Sequence, residues 1–238
     1  MKFWKFIKEN LNKIILIIIY ILVMYVLPDL LGNIFRDYIV TEEQALLYSC
    51  ILNVVLYLLL LTSCFILLWN DIKKDTQIIK NTPAIRTFLI IIIGIVCAYA
   101  LNYIGSMITS MITGPDGGNS MNENALRKMI ASKYGFVLVP TIAFIGPIVE
   151  ELVFRKALTS ILRNLKINDW LVIVIVALLF GSIHVISEGD FEQIFPYVAM
   201  GLALGGVEKF SKNIYPSTVV HIFNNYVAVV IQIILGML

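Results

Sequence analysis

Glu150 and Glu151 stand side by side within an apolar stretch of the chain, and Arg155 follows the second of them by four residues. Adjacent carboxylates oppose each other's ionisation, which raises one of them toward the range of a general base. On a helix, Glu151 and Arg155 share a face and can pair, whereas Glu150 is rotated by about 100° and is left to another partner. Two more polar sets lie in apolar segments further on. One is Phe180 to His184, and the other is His221 to Asn225, again at one-turn spacing. The chain holds two histidines, and these sets contain both. Ionisable groups at membrane depth cost several kcal/mol or more, so each is a candidate for function. Two acids, two histidines and a carboxamide in three separate segments are the materials for activating a water.

Each residue also has a plainer reading. Glu151 with Arg155 can be a structural ion pair, His184 a hydrogen-bonded interior histidine, and His221 with Asn225 a pin between two helices. Ser160 and Ser182 have no base arranged beside them and read as packing residues. The set, taken together, favours chemistry.

These residues must be positioned by helices in a bilayer. Of the 238 residues, 59% are hydrophobic and only 14% charged, and mean hydropathy is +0.88. The apolar residues come in long blocks such as 45–69 and 88–100, with almost no polar face. A helix apolar all round over that length belongs in lipid, where its backbone groups are satisfied internally. The expected fold is therefore all-α, a polytopic transmembrane bundle of about seven spans with an active site within the bilayer. The spans fall at roughly 14–28, 45–69, 87–108, 136–163, 169–186, 191–207 and 216–237. The sixth contains Pro196, Gly201, Gly205 and Gly206 and reads as kinked, short or closely packed against a neighbour. Between the third and fourth, Gly114, Pro115, Asp116, Gly117, Gly118 and Asn119 mark an exposed loop. Beyond it, Asn122 to Tyr134 predicts a short amphipathic helix with Leu126, Met129 and Ile130 on one side.

Gly146-Pro147 should bend the helix one turn before the glutamates and free a carbonyl. A turn at about residues 164–168 would place Glu151 and His184 at about equal depth, some 22–27 Å from it. His221 fits this scheme less well, because simple alternation of spans sends it toward the opposite face from His184.

Basic residues mark the N-terminus and the connections after the second, fourth and sixth spans, which predicts a cytoplasmic N-terminus and, with seven spans, an external C-terminus. The basic N-terminus precedes an apolar run without a small-residue cleavage site, so the run reads as a retained first span. A net charge of +2 without a basic patch argues against nucleic-acid partners. Cys50, Cys64 and Cys97 lack paired or ligand-like spacing and read as small hydrophobes in helix packing.

The three motifs, Glu150-Glu151…Arg155, Phe180…His184 and His221…Asn225, resemble the CPBP family of intramembrane proteases (CAAX protease and bacteriocin-processing, or Abi), whose ordered motifs are EExxxR, FxxxH and HxxxN. Each is weak alone; all three in order, one per predicted helix, are specific. The resemblance covers about residues 135–237. It divides the chain into N-terminal spans and a polar loop, 1–134, and a catalytic core, 135–238. It implies that Glu150 activates a water for attack on a peptide carbonyl, with His184 assisting. Glu151 and Arg155 would support the site, and His221 with Asn225 would stabilise the oxyanion. The family has been described both as metalloproteases and as glutamate proteases without an obligatory metal. Glu150, His184 and His221 would be the ligands if zinc were bound, but the spacing is not that of HExxH, and the metal-free scheme is preferred.

The implied substrate is a membrane-associated peptide or protein, such as a hydrophobic leader peptide. The Lys-, Asn- and Ile-rich composition reads as that of a bacterial plasma-membrane protein. A catalytically silent bacteriocin-immunity or peptide-binding membrane protein is the alternative. A proton-coupled transporter would call for similar halves, and no internal repeat is visible.

Overall fold

A computed structural model describes residues 2–114 and 118–236; Pro115, Asp116 and Gly117 of the expected loop lie outside the described residues. Every regular element among the described residues is helical. Helix α1 is the rod Trp4–Tyr38, and α2 is Glu42–Lys80. Helix α3 is Ala84–Thr113, and α4 is the short Met121–Ala131. Helix α5 runs over Gly135–Asn164, α6 over Asp169–Ser182, α7 over Ile194–Ser211 and α8 over Ile214–Gly236.

Local chemistry starts and stops these rods. At the start of α2, Thr41 Oγ1 accepts from Gln44 N at 3.2 Å while Gln44 Oε1 accepts from Thr41 N at 3.0 Å, a reciprocal cap. Helix α3 follows Pro83 and ends at Gly114, whose φ of 80° a residue with a Cβ adopts only with strain. Ser120 caps α4, accepting from Glu123 N at 3.1 Å, and α4 buries Met129 and Ile130 as its amphipathic pattern requires.

Among the described residues, five helices (α1, α2, α3, α5 and α8) are long and apolar enough to cross a membrane, which bears out five of the about seven expected spans. The fifth and sixth expected spans do form helices, but α6 has 14 residues and α7 has 18. At about 1.5 Å per residue, 14 residues reach about 21 Å, short of a hydrocarbon core of about 30 Å. Large apolar side chains on α2 and α3, including Ile66, Ile93 and Val96, face outward, as lipid contact demands. Leu16, Leu60, Val149, Val172 and Leu204 pack into the main core inside the bundle.

Helices α6 and α7 approach closely. A Cβ on Gly201 would lie 2.8 Å from Ala177 Cα, so only glycine fits at this crossing. Helix α5 is a series of segments rather than one regular helix. Stretches of π-helix at Thr141–Ile145 and Glu151–Leu158 flank an α turn at Gly146–Glu150. Wide turns of this kind re-aim side chains and free backbone groups, and they recur at functional sites.

Candidate active site

The irregularity of α5 starts with its prolines. In the first π segment, Gly146 N donates to Thr141 O, five residues back. The next donor in that pattern would serve Ile142 O, but it is Pro147, which has no N–H. The orphaned carbonyl is satisfied from another helix: Asn225 Nδ2 on α8 donates to Ile142 O at 3.2 Å. A buried backbone group must find a partner in lipid, so this bond fixes α8 against the bend in α5.

One turn later come the carboxylates. Glu151 is fully buried, and its Oε1 lies 3.5 Å from Arg155 Nε. The same oxygen is 3.2 Å from His221 Nδ1. Glu150 faces the other side of the imidazole, with Oε2 3.7 Å from His221 Nε2. Its Oε1 accepts from the Tyr57 hydroxyl of α2 at 3.2 Å. His221 thus lies between the two acids. An ionised carboxylate only accepts, so the short contact places a proton on His221 Nδ1.

Arg155 is buried under several partners. Besides Glu151, its Nη2 donates to Gly201 O at 3.3 Å, and its guanidinium lies 4.5 Å from the centre of the Phe180 ring. The close α6–α7 crossing puts the Gly201 carbonyl within reach. Phe180 is an aromatic hub: its ring centre is 4.9 Å from that of His184 and 5.7 Å from that of His221. Motif positions on three helices therefore meet around one phenyl ring.

His184 is not inside a helix, as the expected span 169–186 requires; α6 stops at Ser182. At the end of α6, His184 N turns to Gly181 O at 3.2 Å, which leaves Phe180 O without its helical donor. The His184 side chain takes that place, with Nδ1 2.8 Å from Phe180 O. A carbonyl only accepts, so the neutral ring carries its proton on Nδ1 and leaves Nε2 as the free acceptor. The imidazole stacks on the ring of Tyr197 of α7, with centroids 4.5 Å apart and planes at 18°.

His221, which simple alternation of spans sends toward the opposite face from His184, touches both carboxylates, while His184 meets His221 around the Phe180 ring and lines the same cavity as Glu150. The short α6 and the irregular stretch 183–193 let α8 approach from a different direction than regular alternation allows. Tyr57 and Tyr197, both contributors to the site, carry no motif. Nothing in their local sequence separates them from the chain's other tyrosines.

Glu150, His184, His221 and Asn225 line a cavity of about 710 Å³, together with polar side chains of α2, α3 and α8. It is roomy enough for water and an extended peptide segment. A zinc set of Glu150, His184 and His221 does not fit this arrangement. Among the described residues no three His, Cys, Asp or Glu side chains are grouped to hold an ion, so His184 does not join Glu150 and His221 as a third ligand.

Comparison with known proteins gives a concordant result. The family model described as "Type II CAAX prenyl endopeptidase Rce1-like" matches residues 132–227. The membrane-embedded CAAX protease MroQ of Staphylococcus aureus is 25% identical over 191 residues, covering 79% of this chain and 76% of MroQ. An uncharacterised protein of Mycoplasma capricolum is 31% identical over 174 residues, 69% of this chain and 49% of that protein. The Bacillus subtilis protein YdiL is 28% identical over 117 residues, 49% of this chain and 45% of YdiL. No solved structure matches the chain at comparable stringency.

Proposed function

The chain is a CPBP-family protein with an Rce1-like core, and on that premise we propose that it is an intramembrane endopeptidase in which Glu150 activates the attacking water. The observation that carries this reading is the pairing of Glu150 and Glu151 across His221, with Glu150 lining an open cavity that His184 and Asn225 also line.

In the proposed reaction, a water lies between Glu150 and the free Nε2 of His184. Glu150 takes one proton as the water oxygen bonds to the scissile carbonyl carbon. Asn225 spends one amide proton on Ile142 O and keeps the second as a donor to the oxyanion. The protonated Glu150 then passes its proton to the leaving nitrogen as the C–N bond breaks, releasing a carboxylic acid and an amine. Glu151 and Arg155 hold His221 in place, and Tyr57 orients the base. No step requires a group outside the chain.

The proposed substrate is a membrane-associated or hydrophobic peptide. Residues 135–238 supply the reacting groups and residues 1–134 the surrounding wall, with the N-terminus cytoplasmic.

The test is cleavage of hydrophobic peptides by protein reconstituted in liposomes, with products read by mass spectrometry. Glu150→Gln and His184→Ala should each remove cleavage while leaving expression and helicity unchanged. Cleavage that survives Glu150→Gln would overturn the mechanism. A phenotype that persists when no cleavage occurs would identify a silent peptide binder. Loss of activity on chelation, restored by zinc, would exclude the metal-free scheme.

A further inference from the structure

Tyr197 lies outside all three motifs, yet its ring is the flat surface against which His184 rests, with centroids 4.5 Å apart and planes at 18°. The other constraint on that imidazole is the bond from Nδ1 to Phe180 O at 2.8 Å. That bond fixes one atom of the ring but permits rotation about the bond's own direction. A stacked neighbour removes that freedom, because the ring cannot turn without leaving contact or clashing.

Tyr197 is itself held at its far end. Its hydroxyl lies 2.7 Å from the Ser120 hydroxyl. Ser120 is buried and caps α4, accepting from Glu123 N at 3.1 Å. The adjacent Met121 N donates to Asp190 Oδ2 at 2.8 Å, which ties the same helix end to the segment entering α7. A column of contacts thus runs from the capped start of α4 through Ser120 and Tyr197 to His184.

We propose that Tyr197 is a positioning residue for His184: Phe180 O sets the Nδ1–H tautomer, the Tyr197 ring face stops the imidazole turning about that bond and so fixes where Nε2 points, and Ser120 fixes Tyr197 in turn. The role in catalysis rests on the endopeptidase reading, but the placement of His184 does not, and the test separates the two. The chain has two histidines, so protein labelled with 15N-histidine in detergent micelles gives imidazole signals from two rings, and His184→Gln assigns them.

Wild-type protein should show nuclear Overhauser contacts between the His184 and Tyr197 rings and a single Nδ1–H tautomer of His184. Tyr197→Phe keeps the ring face and should keep that pattern. Tyr197→Leu should keep the Nδ1–H tautomer, which Phe180 O sets, but shift and broaden the His184 ring signals as the imidazole turns about that bond, with His221 unchanged. In the cleavage assay, Tyr197→Leu should lower kcat by about tenfold to a hundredfold with KM within about twofold, and Tyr197→Phe should restore most of the rate. An unaltered His184 spectrum in Tyr197→Leu would overturn the proposal. So would the absence of ring-to-ring contacts in the wild type, even if the leucine variant fails to fold. If the spectra behave as expected but no variant, wild type included, cleaves peptide, the positioning stands and the endopeptidase reading falls.

Discussion

At the scale of single residues, the site is organised by groups that have only one way to satisfy a neighbour. Phe180 O loses its helical donor where α6 ends and is met by the side chain of His184. Ile142 O loses its donor at Pro147 and is met by Asn225. In water either carbonyl would be solvated at little cost; in lipid each recruits a specific side chain. The Tyr57 hydroxyl plays a corresponding part for Glu150 at 3.2 Å. A hydrogen bond to a charged group is worth about 1.5–3 kcal/mol, so Tyr57→Phe should slow cleavage by roughly tenfold to a hundredfold. Steady-state kinetics would check this, and unchanged thermal stability would show that the loss is catalytic rather than structural. Glu151 and Arg155 were legible at this scale from their four-residue spacing. Tyr57 was not, because its role depends on which face of α2 meets α5, and that is absent from its local sequence.

At the scale of elements, α5 and α8 act as one unit. The π segment that begins at Thr141 displaces the hydrogen-bond ladder by one residue, so the missing N–H of Pro147 falls on Ile142 rather than on Ala143. Pro147→Ala should return a donor to Ile142 O and make the Asn225 bond redundant. Asn225→Ala alone should cost about 1 kcal/mol, and the same change in a Pro147→Ala background should cost measurably less. Thermal unfolding in detergent of the four members of this double-mutant cycle would measure the coupling. Equal costs in both backgrounds would sink this account of the bend. Gly146-Pro147 signalled a bend and a freed carbonyl from sequence alone. Which carbonyl was freed, and which helix answered it, depended on the π register and on the approach of α8.

At the scale of the molecule, buried and half-buried polar pairs tie the rods together away from the site. Lys156 of α5 reaches both oxygens of Asp75 on α2 at 2.7 Å, and Asn213 Nδ2 donates to Asp75 O at 2.8 Å. Asp75 is only 2% exposed, so Asp75→Ala leaves the Lys156 ammonium without its counter-charge. That variant should lose about 3–5 kcal/mol, whereas Asp75→Leu with Lys156→Met should recover most of the loss. Thermal melts of the single and double variants decide it, and a double variant no better than the single would refute the pairing argument. At the opposite end, Lys128 pairs with Glu42 at 2.5 Å and Lys133 with Glu43, so the long third connection is strapped to the start of α2. The mixed charge of that connection, which weakens the alternation of basic loops, is thus used in local pairing.

The sequence by itself determined that this is an all-helical membrane protein with three polar motifs set in apolar segments. Those properties are local: an unbroken apolar run leaves the backbone one solution in lipid, and side chains three or four residues apart share a helical face whatever surrounds them. Only the tertiary structure decided that His221, not His184, sits between the carboxylates, that α6 ends before His184, and that Tyr57 and Tyr197 complete the site. These depend on crossing geometry and register between distant helices. A single glycine contact, such as Gly201 on Ala177, sets how closely two rods approach, and therefore which side chains meet.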